Sequence, residues 1–233
     1  MDVKLSEEGR NQAALLFNYW SSNKRTFDLM YSSDLSRAFE TCKTIVGPDF
    51  QDEIIVDERL RERGYGVKEG VPLHELRAAA KEAGFNEKNY SSYTPEGAES
   101  LIQVRDRIRL FCSEHLVNVI DNGYKVLLVT HGGVIREFFR FFRDSLRCHL
   151  PSESEPYRVT PNTGVSTFRI SYRSGKLVSA ECLQIHDISH LPKSAEGGNG
   201  EQRASGQSAR QSSSDDSAMI PCDLISSPPL EAL

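Results

Sequence analysis

The sequence predicts an α/β fold with a mostly parallel sheet flanked by helices, and three observations carry that prediction. Short apolar strand candidates alternate with amphipathic helical stretches along the chain. Val126-Leu127-Leu128-Val129 is a continuous apolar run of the kind buried on both faces of a parallel sheet. The 233 residues, 38% hydrophobic and 26% charged, suffice for one such domain with a core and a tail.

Each element has a local reason. Ser6 followed by Glu7 and Glu8 marks a helix start, because acidic side chains favour the positive end of the helix. Ala13, Ala14, Leu16, Phe17 and Trp20 then recur at helical spacing. Phe27 to Tyr31 reads as a strand ending in Ser32-Ser33-Asp34, and Leu35 to Val46 as a helix closed by Gly47-Pro48. Ile54-Ile55-Val56 is a short strand candidate, and Pro72 to Ala83 is helical in composition up to Gly84. Residues 84–98 read as a loop, and Ser100 to Val119 as a long amphipathic helix. After the apolar run, His131-Gly132-Gly133 turns the chain into a helix over Val134 to Phe142. Thr167 to Tyr172 and Leu177 to Ile185 flank Ser174-Gly175 as a hairpin would.

From Lys193 to Ser217 the composition shifts to Ser, Gly, Gln, Asp and Arg. Such a segment buries too little apolar surface to offset its ordering entropy. The expected organisation is therefore a folded domain over 1–192 and a disordered Ser/Gly-rich tail over 193–233.

A net charge of −5 argues against a general nucleic-acid or membrane-surface binder. No stretch approaches the roughly 18–20 apolar residues of a membrane span, and the first ten residues lack the apolar core of a signal peptide. The five cysteines are scattered, without paired metal spacing, as in a reducing compartment. An intracellular protein is expected, and Asn89-Tyr90-Ser91 reads as a chance sequon.

Three segments offer chemistry. In Val129-Thr130-His131-Gly132-Gly133 a histidine ends a buried strand, glycines permit close backbone approach, and the next helix points its positive end at the same place. That is an anion site; a buried histidine at a tight turn is an equal alternative. In Ser33-Asp34-Leu35-Ser36-Arg37, Arg37 lies early in a helix after a strand, where a guanidinium suits bidentate phosphate contact. Most helix arginines are simply solvated. Arg59-Leu60-Arg61-Glu62-Arg63 is either a surface charge run or a setting for Glu62 as proton donor.

Together with Asp2-Val3-Lys4-Leu5-Ser6-Glu7-Glu8-Gly9, Thr94-Pro95-Glu96-Gly97-Ala98-Glu99-Ser100 and Pro161-Asn162-Thr163-Gly164-Val165-Ser166, these segments resemble the histidine phosphatase (phosphoglycerate mutase-like) superfamily. In detail they are similar to its TIGAR-type fructose-2,6-bisphosphatase branch, over about residues 2–190. The resemblance implies a three-layer phosphoglycerate mutase-like fold and a phosphohistidine mechanism without metal or other cofactor. It also implies a phosphorylated small molecule, a sugar bisphosphate, as substrate, a role in damping glycolysis, and a cytoplasmic setting with nucleus or mitochondrion as variants. By motif, His131 would be the second pocket histidine, Arg37 and Gly132 phosphate contacts, and Glu62 the general acid.

In that family the nucleophilic histidine stands in an Arg-His-Gly segment on the first strand, beside the strand that carries His131. No Arg-His-Gly occurs in this sequence. Met1 falls just after the place where the family has it, so the first central strand is expected to be missing. The chain is then expected to be an incomplete or shortened form, weak or inactive. The alternatives are a non-catalytic interaction protein that keeps the anion pocket, and a phosphoglycerate mutase-like phosphotransferase. His186 and His190 form an i, i+4 pair of the kind that can bind a metal, but the structural reading is favoured here and no metal site is expected.

Overall fold

In the computed structural model, which describes residues 2–86, 89–116, 124–173, 176–192 and 218–226, the alternation of elements builds one six-stranded sheet. Helix α1 (Glu7–Ser22) starts where the sequence places it, with the Ser6 hydroxyl accepting from Gly9 N at 3.1 Å. Strand β1 (Leu29–Ser32) leads into α2 (Ser36–Val46), which ends at Gly47 with φ of 81°. A Cβ there would stand 2.6 Å from the Phe17 ring, so both the backbone turn and the packing call for glycine.

Strand β2 (Ile54–Val56) and helix α3 (Leu73–Glu82) follow. Helix α4 (Leu101–Phe111) opens with a reciprocal cap: Ser100 Oγ accepts from Gln103 N, and Gln103 Oε1 accepts from Ser100 N. It is shorter than its periodicity predicts. A wider π-type turn over Cys112–Leu116 follows it, with the consecutive Phe111 and Cys112 both in the core, and residues 117–119 of the expected helix lie outside the described residues. Strand β3 (Val126–Thr130), helix α5 (Gly132–Ser145) and the hairpin strands β4 (Val165–Arg173) and β5 (Lys176–Asp187) match their sequence signals.

All five residues of β3 are buried, and they face two ways. Val126 and Leu128 pack with Phe111, Phe138 and Phe142 from α4 and α5; Leu127 and Val129 pack with Ala13, Leu16, Cys42 and Ile45 from α1 and α2. The result is the predicted three-layer sandwich of helices, sheet and helices. Each of the Val, Leu, Ile and Phe side chains among them contributes about 1.5–3 kcal/mol by leaving water.

The strand order is β2-β1-β3-β6-β4-β5, where β6 is Ala218–Ser226. Strands β2, β1, β3 and β6 run parallel to one another, while β4 is antiparallel to both β6 and β5, so the sheet is mixed but mostly parallel. Strand β6 corrects two expectations. The stretch 193–233 is not disordered throughout: nine of its residues form a strand, with Cys222, Leu224 and Ile225 buried. Residues 193–217 and 227–233 lie outside the described residues. Nor is the position beside β3 left open, because β6 fills it in register from Val126↔Cys222 to Thr130↔Ser226. The physical reason is the ladder itself, since β3 and β4 would each present a row of unpaired backbone groups without a strand between them.

Candidate active site

The C-terminal ends of β1, β2 and β3 lie on one edge of the sheet, where open α/β sheets bind ligands. Hydrogen bonds join the segments that leave this edge. Ser33 N donates to Val129 O at 3.0 Å, Asp57 N to Ser32 O at 2.9 Å, and the Thr130 hydroxyl to Leu60 O at 2.7 Å. The last contact anchors the turn that carries Glu62 to the strand that carries His131.

Arg37 and Glu62 line the same cavity, of about 250 Å³, together with Arg61, Tyr65, Glu69 and Asp2. Arg37 is only 3% exposed, and its Nε and Nη1 make no hydrogen bond to the protein. Burial draws its pKa down, while the nearby carboxylates of Glu62, Asp2 and Glu69 draw it up. Two buried guanidinium donors on a cavity wall are what an anionic oxygen would need. Asp2 is engaged at the start of α2, where its carboxylate accepts from Ser36 N at 2.8 Å and Ser36 Oγ at 2.6 Å.

The Glu62 carboxylate is fixed by two backbone amides. Oε1 accepts from Arg63 N at 2.9 Å, and Oε2 accepts from Gly133 N, in the first turn of α5, at 3.2 Å. Gly132, the other glycine of the turn, is the first residue of α5 directly after His131. The strand-His-Gly-Gly-helix pattern thus also seats the Glu62 carboxylate, a contact that its sequence alone did not show.

His131 belongs to the same neighbourhood but stands behind the cavity wall, 2% exposed, with Nε2 2.9 Å from Ser33 Oγ. Burial pushes its pKa well below the usual histidine value, and the positive charges of Arg37 and Arg107 push the same way, so the ring is neutral at pH 7. Arg37, Glu62 and His131 are therefore brought together, with the first two in front.

The three arginines around Glu62 separate into different roles. Arg63 is buried and donates to the Glu99, Ser91 and Tyr93 carbonyls and to Thr94 Oγ1, at 2.6 to 3.1 Å, tying the 91–99 loop to the Glu62 turn. Arg59 pairs with Asp57 and Glu114, and Arg61 with Asp34. Arg107 was not singled out in the sequence; it pairs with Glu99 and also donates to Arg59 O, and so braces the same turn. A sequence shows only a run of like charges here, because the acceptors are main-chain carbonyls from a loop some thirty residues away.

The remaining histidines lie elsewhere. His74 is 82% exposed on α3, and His115 is 3.2 Å from Asp57, against the Tyr31 and Phe111 rings. His149 bridges to Glu181 in the sheet. His186 packs on Phe139 beside Ser166, whereas His190 Nε2 lies 2.8 Å from Thr163 Oγ1. Among the described residues no group of three metal-ligating side chains converges.

The family model of the histidine phosphatase superfamily (branch 1) matches residues 1–182. The fructose-2,6-bisphosphatase TIGAR of Mus musculus is 31% identical over 240 residues, covering 82% of this chain and 87% of that protein. The phosphoglycerate mutase-like protein 4 of Arabidopsis thaliana is 32% identical over 213 residues, covering 88% and 85%. Among solved structures, Bacillus stearothermophilus YhfR matches with a TM-score of 0.59 at 26% identity, over 81% of this chain and 87% of its own. Mycobacterial glucosyl-3-phosphoglycerate phosphatase in complex with inorganic phosphate shares the fold, with a TM-score of 0.62 at 24% identity over 82% and 91%.

Proposed function

This chain belongs to the histidine phosphatase superfamily (branch 1), and from that premise we propose a phosphomonoesterase of the fructose-2,6-bisphosphatase type with a phosphohistidine intermediate. One observation carries the reading: Arg37, with two unengaged buried donors, and Glu62, held by two amides, line one cavity.

Phosphoryl transfer is loose, so positive groups must follow the charge on the equatorial oxygens, and the departing alkoxide needs a proton. Arg37 serves the oxygens. Glu62 gives its proton to the leaving oxygen and afterwards accepts one from the water that hydrolyses the phosphoenzyme. His131, kept neutral by burial, orients Ser33 at the back of the pocket and completes the phosphate's surroundings. The substrate proposed is a sugar bisphosphate, in a cytoplasmic setting where its removal damps glycolysis. Among the described residues no helix is long and apolar enough to cross a membrane.

A phosphohistidine needs a second histidine at the cavity, and the other five lie elsewhere. This 233-residue chain is therefore proposed to turn over weakly or not at all on its own. The same observation favours a second reading, a non-catalytic protein that binds phosphorylated ligands through Arg37. The test is phosphate release from fructose 2,6-bisphosphate by this chain and by a form preceded by a strand bearing Arg-His-Gly. Release by the extended form alone supports the phosphatase. Phosphate binding without release by either form favours the binding protein, and release by the 233-residue chain at full rate would refute the assignment of the nucleophile.

A further inference from the structure

Arg61 lines the cavity with Arg37 and Glu62, yet its guanidinium is turned aside. Nε donates to Asp34 Oδ1 at 2.8 Å and Nη2 to Asp34 Oδ2 at 2.5 Å, a bidentate pair at the rim. The pair is surface-borne: the Arg61 side chain is 49% exposed and that of Asp34 29%. Exposed pairs of this kind contribute little to stability, so the guanidinium is exchangeable.

The other cations of the cavity are committed. Arg63 spends its donors on three carbonyls and a hydroxyl, and Arg37 is the buried donor for the reacting phosphate. Asp2 and Glu69 line the same cavity and are themselves engaged, Asp2 by Ser36 and Glu69 by the Tyr65 amide at 2.8 Å. Arg61, half-exposed and with an exchangeable partner, is thus the lining guanidinium that a second anionic group could recruit. Arg61 directly precedes Glu62, and Glu62, as the acid, must face the leaving oxygen. Arg61 stands at the exposed rim of the same cavity, where the part of a substrate remote from the reacting phosphate would lie.

We infer that Arg61 is a specificity-determining residue, which exchanges Asp34 for a second anionic group carried on the leaving-group side of the substrate. The inference rests on the proposed phosphate pocket and names the residue that sets its preference for bisphosphates, or phosphates bearing a carboxylate, over simple phosphomonoesters. Asp34 is its counterpart, holding Arg61 at the rim when no second anion is present.

Calorimetric titration of the full chain tests this without requiring turnover. Fructose 2,6-bisphosphate and inorganic phosphate are titrated into the unaltered chain and into Arg61→Ala, Arg61→Lys and Asp34→Asn, with the thermal midpoint of each recorded. Arg61→Ala is expected to weaken the bisphosphate about tenfold or more while leaving phosphate within about twofold. Arg61→Lys should recover part of the loss, and Asp34→Asn should tighten the bisphosphate by freeing the guanidinium. Equal changes for both ligands, or none, would overturn the role of Arg61 while leaving the pocket intact. Phosphate and bisphosphate binding equally well to the unaltered chain would do the same. Failure of the unaltered chain to bind either ligand would overturn the pocket reading itself, and Arg61 with it.

Discussion

A Cβ placed on Gly133 would stand 2.4 Å from Oε1 of Glu62, and the amide of Gly133 already donates to Oε2 of the same carboxylate. Helix α5 and the Glu62 turn are thus fitted to each other at a distance that only glycine permits. The intruding atom would meet the end of a flexible side chain, so Gly133→Ala should fold and should move Glu62 rather than the helix. In the Arg-His-Gly-extended form, turnover of a sugar phosphate should fall by about tenfold or more, with phosphate affinity nearly unchanged. Unaltered turnover would show that Glu62 need not sit where these two amides hold it.

Removing the proton tests Glu62 directly. Glu62→Gln keeps the shape and can still accept the two amide hydrogen bonds through its carbonyl oxygen only in part, but it has no proton to give. The loss with a sugar phosphate should lie near the roughly 10²–10⁴-fold typical of general acid catalysis. With p-nitrophenyl phosphate, whose leaving group needs no proton, the loss should be much smaller. Equal losses on both substrates would count against the acid role.

His131 connects the site to stability. Its folded pKa lies well below that of an exposed histidine, chiefly through burial, and burial lowers those of His186 and His190 as well. Below pH 6.5 the unfolded chain binds protons that the folded chain refuses, so stability is fully present above that pH and is lost as the pH falls through and below it. Each such group adds at most about 1.4 kcal/mol per pH unit to the slope. Urea midpoints should therefore drop between pH 7.5 and 5, a window above the range in which Asp34 and Asp57, both lowered by their arginine partners despite burial, begin to titrate. Replacing His131 by Asn should flatten that drop. The same replacement in the extended form should sharply reduce turnover, and near-normal turnover would remove His131 from the pocket's working parts.

The sequence made the parallel half of the fold legible because each of its elements carries its own local signal. The Ser6 cap, the Gly47-Pro48 stop and the unbroken apolar run of β3 are examples. Arg37, Glu62 and His131 were legible as a set, since each follows a strand end or a turn at the same sheet edge. The bracing was not. Arg63 and Arg107 act through main-chain carbonyls and Glu99, and acceptors of that kind leave no trace in side-chain identity. Strand β6 was hidden for another reason. Pro221 interrupts Met219-Ile220 and Cys222-Asp223-Leu224-Ile225, and a proline within an apolar run ordinarily argues against an inner strand. Its neighbours' need for a partner is a long-range fact that no local pattern contains.

That need makes β6 the most exacting element to test. Leu224 is fully buried between the helices and sheet, opposite Leu128 in β3 and Ser166 in β4. Leu224→Ala should cost about 2–5 kcal/mol, as for other buried leucines that leave a cavity. That is a large part of the roughly 5–15 kcal/mol available to a domain. Ending the chain after residue 217 removes the ladder on both sides and should abolish the cooperative transition altogether. A chain ending at 217 that melts like the full chain would mean that β3 and β4 do not depend on β6, and the sheet would have to close in another way. If instead Leu224→Ala lowers the midpoint and the shortened chain fails to fold, a segment that reads as a tail is part of the core.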